Sequence, residues 1–134
     1  MRTVIFVCVH NAGRSQMAAA FFNQLAGNRA RAISAGTAPG DAVNPVVVQA
    51  MKEVGIDISA AKPQMLTLEM AQDAEKMITM GCGADAGAVC PASFIETEDW
   101  QLDDPAGQPI EIVRRIRDDV KSHVELLLKE MKLV

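Results

Sequence analysis

Thr3-Val4-Ile5-Phe6-Val7 is an unbroken apolar run, the pattern of a strand covered on both faces. From Ser15 to Leu25 the pattern changes. Met17, Ala18, Phe21, Phe22 and Leu25 recur at helical spacing, and Gly27 stops the run. Ala30–Ser34 reads as a short second strand ended by Gly36. Asn44-Pro45 marks a helix start, with Asn as cap and Pro at the first helical position, and that helix runs to Val54 before Gly55. Thr67 can cap a short helix through Ala74. Glu75–Met80 is a third strand, Gly81–Ala92 a glycine-rich loop, and Phe94–Thr97 a short fourth strand. Pro109 opens a final helix on which Ile112, Val113, Ile116, Val120, Val124, Leu127, Leu128 and Met131 keep helical spacing.

Strands alternating with helices predict a single α/β domain spanning residues 1–134. Its core is a four-stranded parallel sheet with helices on both faces. Right-handed crossovers bring every strand's carboxyl end to one edge, where ligands of such sheets bind. The strand order 2-1-3-4 puts the switch point between the first and third strands. The loops that carry Cys8 and Cys82 are then neighbours.

Composition narrows the function. A net charge of −4 argues against a nucleic-acid partner. No apolar stretch is long enough for a membrane span, and Met1-Arg2-Thr3-Val4-Ile5 does not read as a signal peptide. A cytoplasmic monomer is the expectation. The odd count of three cysteines gives no secreted disulfide framework. In a reducing compartment, cysteines that do pair are usually catalytic or redox-sensing.

The candidate chemistry starts at Cys8. Alone, it reads equally well as a buried core cysteine. Its setting favours a nucleophile. Cys8-Val9-His10-Asn11-Ala12-Gly13-Arg14 is a short loop between a strand and a helix start, followed at once by Ser15. A helix start offers N–H donors and positive potential, which favour a thiolate. Asn11 and Gly13 tolerate left-handed conformations, which curl successive N–H groups into an anion nest. Arg14 adds a planar fork of donors suited to an oxyanion, and the Ser15 hydroxyl can donate to the Cys8 thiolate. Val9, His10, Asn11, Ala12, Gly13 and Arg14 are therefore the expected oxyanion-binding residues. Asp103-Asp104-Pro105 reads on its own as a turn. Cys82 and Cys90 are separated by a loop containing Gly83 and Gly87. The two histidines, His10 and His123, have no ligand-like spacing to that pair, so zinc is not expected. Trp100 is expected to pack beside the site. Arg114, Arg115, Arg117 and Lys121 are expected on the solvated face of the last helix.

The Cys8…Arg14-Ser15 motif after a first strand resembles the low-molecular-weight protein tyrosine phosphatase family. Its wording through Gln16-Met17-Ala18 is more similar to the arsenate reductase branch. The likeness covers nearly the whole chain. Ser34-Ala35-Gly36-Thr37 is similar to the segment after the second strand in both branches. Trp100-Gln101-Leu102-Asp103-Asp104-Pro105-Ala106-Gly107 resembles the reductase form of the family's Asp-Pro loop.

The resemblance implies that Asp104 is the general acid and that Cys8 attacks the oxyanion. It also implies that Cys82 and Cys90 complete a disulfide relay, which supplies two electrons to arsenate. No bound cofactor is implied. The partner would be an external thiol reductant, thioredoxin first, with glutaredoxin or mycothiol as alternatives. Several thioredoxin-coupled members hold potassium with a Glu where this chain has Ala19, so no metal is expected. Phosphatase members carry tyrosines after the Asp-Pro pair. This chain has no tyrosine, which disfavours a phosphotyrosine substrate. The phosphatase activity, using Cys8, Arg14 and Asp104, is the alternative reading.

Overall fold

Val4, Ile5, Phe6 and Val7 are all fully buried, so both faces of the first strand are covered. The structure, a computed structural model, describes residues 2–80 and 96–133. In chain order its elements are β1 (Arg2–Cys8), α1 (Arg14–Ala26), β2 (Ala30–Gly36), α2 (Pro45–Lys52), α3 (Leu68–Asp73), β3 (Lys76–Thr79), β4 (Glu96–Asp99) and α4 (Ile110–Glu130). The four strands are parallel in the order β2-β1-β3-β4, as the alternation of elements predicts. Cys8, Gly36, Thr79 and Asp99 therefore end their strands at one edge.

Local chemistry explains the boundaries. Asn44 accepts the Val46 N–H at 2.9 Å and Pro45 opens α2. Thr67 accepts the Met70 N–H at 3.2 Å at the start of α3. α1 packs on β1, β2 and α4. Phe6 meets the ring of Phe22 edge-on at 6.0 Å and that of Trp100 at 5.6 Å. Trp100 is thus a core residue. Its outer neighbour is His123 on α4, with ring centroids 5.1 Å apart.

Two expectations need correction. The fourth strand, expected over Phe94–Thr97, is described over Glu96–Asp99 and so ends two residues beyond Thr97. Among the described residues it pairs only with β3, so it is an edge strand. Glu96-Thr97-Glu98-Asp99 lacks the apolar run that marks a central strand, so its end carries no pattern to read. Phe94 and Ile95 lie outside the described residues, as do Cys82, Cys90 and the loop predicted over 81–92.

The second correction is Arg117, which is only 9% exposed. Its guanidinium donates to the Ala50 carbonyl at 2.9 Å and to Glu53 Oε1 at 3.0 Å. Carbonyls in the last turn of a helix lack intrahelical partners, so Arg117 closes the end of α2 against α4. Arg114 grips the same carboxylate, with a shortest contact of 2.7 Å. The Arg114 hydrogen bond, followed by that of Arg117, holds the Glu53 carboxyl below its ordinary range. A carboxyl depressed in the folded state adds stability above its unfolded value and loses it as pH falls through the folded one. Glu53→Gln should therefore lower stability to urea at pH 7, and the gap to the parent should narrow as pH falls below the ordinary carboxylate range. A gap that does not narrow contradicts this.

Candidate active site

β1 ends in Cys8, 3% exposed, whose Cα partner across the sheet is Gly36. The next residues turn sharply into α1. The turn is tight because Asn11 adopts φ 51°, the left-handed conformation that Asn tolerates. Gly13 has φ −144° and is not left-handed, contrary to expectation. Its reason is space: a Cβ there would lie 2.7 Å from Pro105 Cγ. Gly36 has the same role on the other side. A Cβ at Gly36 would sit 2.5 Å from the Val9 carbonyl oxygen and 3.0 Å from the Asn11 nitrogen. Those are backbone atoms and cannot swing away. Gly36→Ala should displace the Cys8 loop and reduce turnover by roughly 10²-fold, the scale set by ångström misplacement of a reacting group. Retention of full activity would show that the loop can yield.

Cys8, His10, Ala12, Gly13, Arg14, Asn44, Asp104, Pro105 and Ala106 enclose a recess of about 80 Å³. Four of the six expected oxyanion-binding residues therefore face it: His10, Ala12, Gly13 and Arg14. Val9 and Asn11 do not line it; they support the loop from behind. The Val9 carbonyl accepts the Ala38 N–H at 2.8 Å, and Asn11 is fully buried. Asn44 is a residue that sequence reasoning treated only as a helix cap. Its N–H also donates to the Ala12 carbonyl at 2.9 Å, which fastens α2 to the loop. The His10 imidazole bonds the Ala38 carbonyl through Nδ1 at 3.1 Å. A carbonyl can only accept, so Nδ1 carries the proton.

Ser15 Oγ lies 2.9 Å from Cys8 Sγ. Asn11 Nδ2 donates into that same hydroxyl at 2.7 Å, which leaves the Ser15 proton to point at sulfur. No acidic residue and no side-chain cap occupies the first turn of α1, so its positive end is open toward the recess. Arg14 is 8% exposed. It donates to the Leu102 carbonyl at 3.0 Å, and its other terminal nitrogen lies 3.9 Å from Asp104 Oδ2. Asp104 Oδ1 accepts the Ala106 N–H at 3.0 Å, a turn bond that orients the carboxyl. Arg14 thus joins the nucleophile loop to the Asp-Pro loop. Sequence reasoning named Cys8, Arg14, Ser15 and Asp104, and the fold brings these together.

A larger groove of about 420 Å³ lies beside β4, lined by residues that include Trp100, His123, Leu126 and Glu130. Among the described residues that line it there is no thiol or hydroxyl side chain. Among the described residues no helix is long and apolar enough to cross a membrane.

The family model for low molecular weight phosphotyrosine protein phosphatases matches residues 3–133. The chain belongs to this family. Arsenate reductase 2 of Staphylococcus epidermidis is 33% identical over 124 residues, 92% of this chain and 94% of that one. The thioredoxin-dependent arsenate reductase of Corynebacterium glutamicum superposes with a TM-score of 0.83 at 34% identity. That match covers 99% of this chain but 63% of the other, so this chain spans less than two thirds of its length. The YwlE arginine phosphatase of Geobacillus stearothermophilus superposes with a TM-score of 0.88 at 25% identity, over 98% of this chain and 94% of that one. The family fold is therefore shared by proteins of two activities. For this member, the wall beyond Pro105 is formed by a small residue, Ala106, at the mouth of the recess.

Proposed function

We propose that the protein is an arsenate reductase working through Cys8, Cys82 and Cys90, in one catalytic domain spanning residues 1–134. The observation that carries this reading is the likeness to arsenate reductases, 33% identical over 92% of this chain, set beside a recess that fits a bare oxyanion. The recess offers about 80 Å³. It falls far below the roughly 300 Å³ at which pockets for drug-sized organic ligands begin. A bare tetrahedral oxyanion fits such a space, between a thiol, a helix start and a guanidinium. An aryl ester would have to leave its ring outside.

In this reading the Cys8 thiolate attacks arsenic(V) and forms an S–As bond. Arg14 and the loop amides hold the arsenate oxygens. The departing oxygen takes a proton from Asp104 and leaves as water. The Cys82 thiolate then attacks Cys8 sulfur. The S–As bond breaks with both its electrons on arsenic, which leaves as arsenite, arsenic(III). The two sulfurs keep a Cys8–Cys82 disulfide. Cys90 attacks Cys82, frees Cys8 and leaves a Cys82–Cys90 disulfide. An external dithiol carrier reduces that bond. Covalent connectivity supports the first exchange. The Met80 N–H donates to the Val7 carbonyl at 3.0 Å, next to Cys8. Cys82 follows Met80 by two positions in the sequence. Thioredoxin is the carrier this reading names first, supported by the thioredoxin dependence of the Corynebacterium glutamicum relative. A reducing cytoplasm is the compartment that suits the cycle.

The test is arsenate turnover by the full chain, with thioredoxin, glutaredoxin and mycothiol systems supplied separately. Arsenite formation with at least one of them, lost in Cys82→Ser, is the expected result. No arsenite with any of them sinks the reading. Membership of the phosphotyrosine protein phosphatase family keeps phosphate ester hydrolysis as a second reading. Hydrolysis of para-nitrophenyl phosphate that needs Cys8 and Asp104 but ignores Cys82 would favour it.

A further inference from the structure

Gln16 is a polar residue 6% exposed on α1, where Met17, Ala18, Phe21 and Phe22 are also buried. A buried amide is costly unless its hydrogen bonds are made, so the partners of Gln16 say what it is for. Its Nε2 faces three oxygens. They are the Asn11 carbonyl at 3.1 Å, Asn11 Oδ1 at 3.1 Å and the Lys62 carbonyl at 3.4 Å. Two of the three belong to the one residue of the Cys8 loop that is left-handed.

The orientation of Asn11 follows without ambiguity. The Gln64 backbone N–H, which can only donate, also meets Asn11 Oδ1, at 3.0 Å. The Asn11 oxygen is thereby held on the side of Gln16 and Gln64. Its Nδ2 must point the other way, to Ser15 Oγ. Ser15 has one proton, and that proton is left for Cys8 Sγ. Each link is a donor serving the next acceptor: Gln16 to Asn11, Asn11 to Ser15, Ser15 to Cys8.

We propose that Gln16 is a positioning residue for the nucleophile. It holds Asn11 in its left-handed turn and in the one amide orientation that directs the Ser15 proton onto Cys8 sulfur. Gln16 does not line the recess, so it acts only through this chain. The proposal rests on Cys8 being the nucleophile, and not on arsenate being its substrate. Besides Cys8, the charged and titratable groups among the described residues that line the recess are His10, Arg14 and Asp104, and none of the hydrogen bonds they make goes to Gln16. Removing the amide therefore leaves them in place.

The experiment reads Cys8 directly. Iodoacetamide labelling of the full, reduced chain is followed from pH 5 to 9, with the rate at Cys8 resolved by peptide mass spectrometry. Parent, Gln16→Met, Ser15→Ala and the double variant are compared. Gln16→Met should move the midpoint of Cys8 labelling upward by about half to one pH unit, the scale of one hydrogen bond to the reactive form. Ser15→Ala should move it at least as far. The double variant should match Ser15→Ala alone, because the two residues act in series. Should Gln16→Met fail to fold, Gln16→Asn keeps the polarity, shortens the reach and should show the same shift. An unchanged midpoint in a folded Gln16 variant overturns the proposal. So does a double variant in which the two shifts add. Absence of arsenate turnover would leave this measurement untouched, so the two ideas fail separately.

Discussion

Cys8→Ser should reduce turnover of arsenate, and of any phosphate ester the protein hydrolyses, by about 10⁴-fold or more, the scale seen when a covalent nucleophile is removed. The hydroxyl keeps the shape of the site but not the chemistry. Near neutral pH a serine hydroxyl is not ionised, and an oxygen in that place cannot form the disulfide that carries two electrons. The anion site itself should survive. Arg14 and the open start of α1 are independent of the sulfur. Calorimetric titration with inorganic phosphate should show binding within a few-fold of the parent, together with loss of turnover. Substantial turnover in Cys8→Ser would remove Cys8 from the reaction. Loss of phosphate binding would place the recess's affinity on the thiol and not on the surrounding donors.

Asp104→Asn should cost 10²- to 10⁴-fold in turnover, the usual contribution of a positioned general acid. The Asn side chain can keep the bond from the Ala106 N–H that orients Asp104, so geometry is conserved while the proton donor is lost. The loss should fall on kcat and leave phosphate binding within a few-fold of the parent, because the Asn side chain keeps the shape of the site. A variant with only a small loss of turnover would mean that Asp104 only orients Arg14, its neighbour at 3.9 Å. Asp103, exposed and outside the recess, should tolerate Asn with little effect.

What could be read from the chain was what local pattern and local chemistry determine. The apolar run of β1, the Asn44 cap and the strand order all follow from short-range signals, and so does the Cys8…Arg14-Ser15 loop. Contacts made across long sequence distance could not be read. Arg117 looks like any helix-surface arginine until Ala50, 67 residues away, is placed beside it. Gly13 reads as a residue that tolerates a left-handed turn until Pro105 is packed against it. Gln16 carries no local sign of its part, because its partners Asn11 and Lys62 meet only in the folded chain. The end of β4 could not be read because an edge strand needs no apolar run to hold its place.

The reduction itself, and not the oxyanion grip, separates an arsenate reductase from its phosphatase relatives. The most direct measurement is a single turnover of Cys90→Ser with arsenate and no external reductant, followed by non-reducing peptide mass spectrometry. The expected result is a Cys8–Cys82 disulfide with about one equivalent of arsenite released, as the electron balance of one disulfide requires. Free thiols at both Cys8 and Cys82 with arsenate unreduced would contradict the relay.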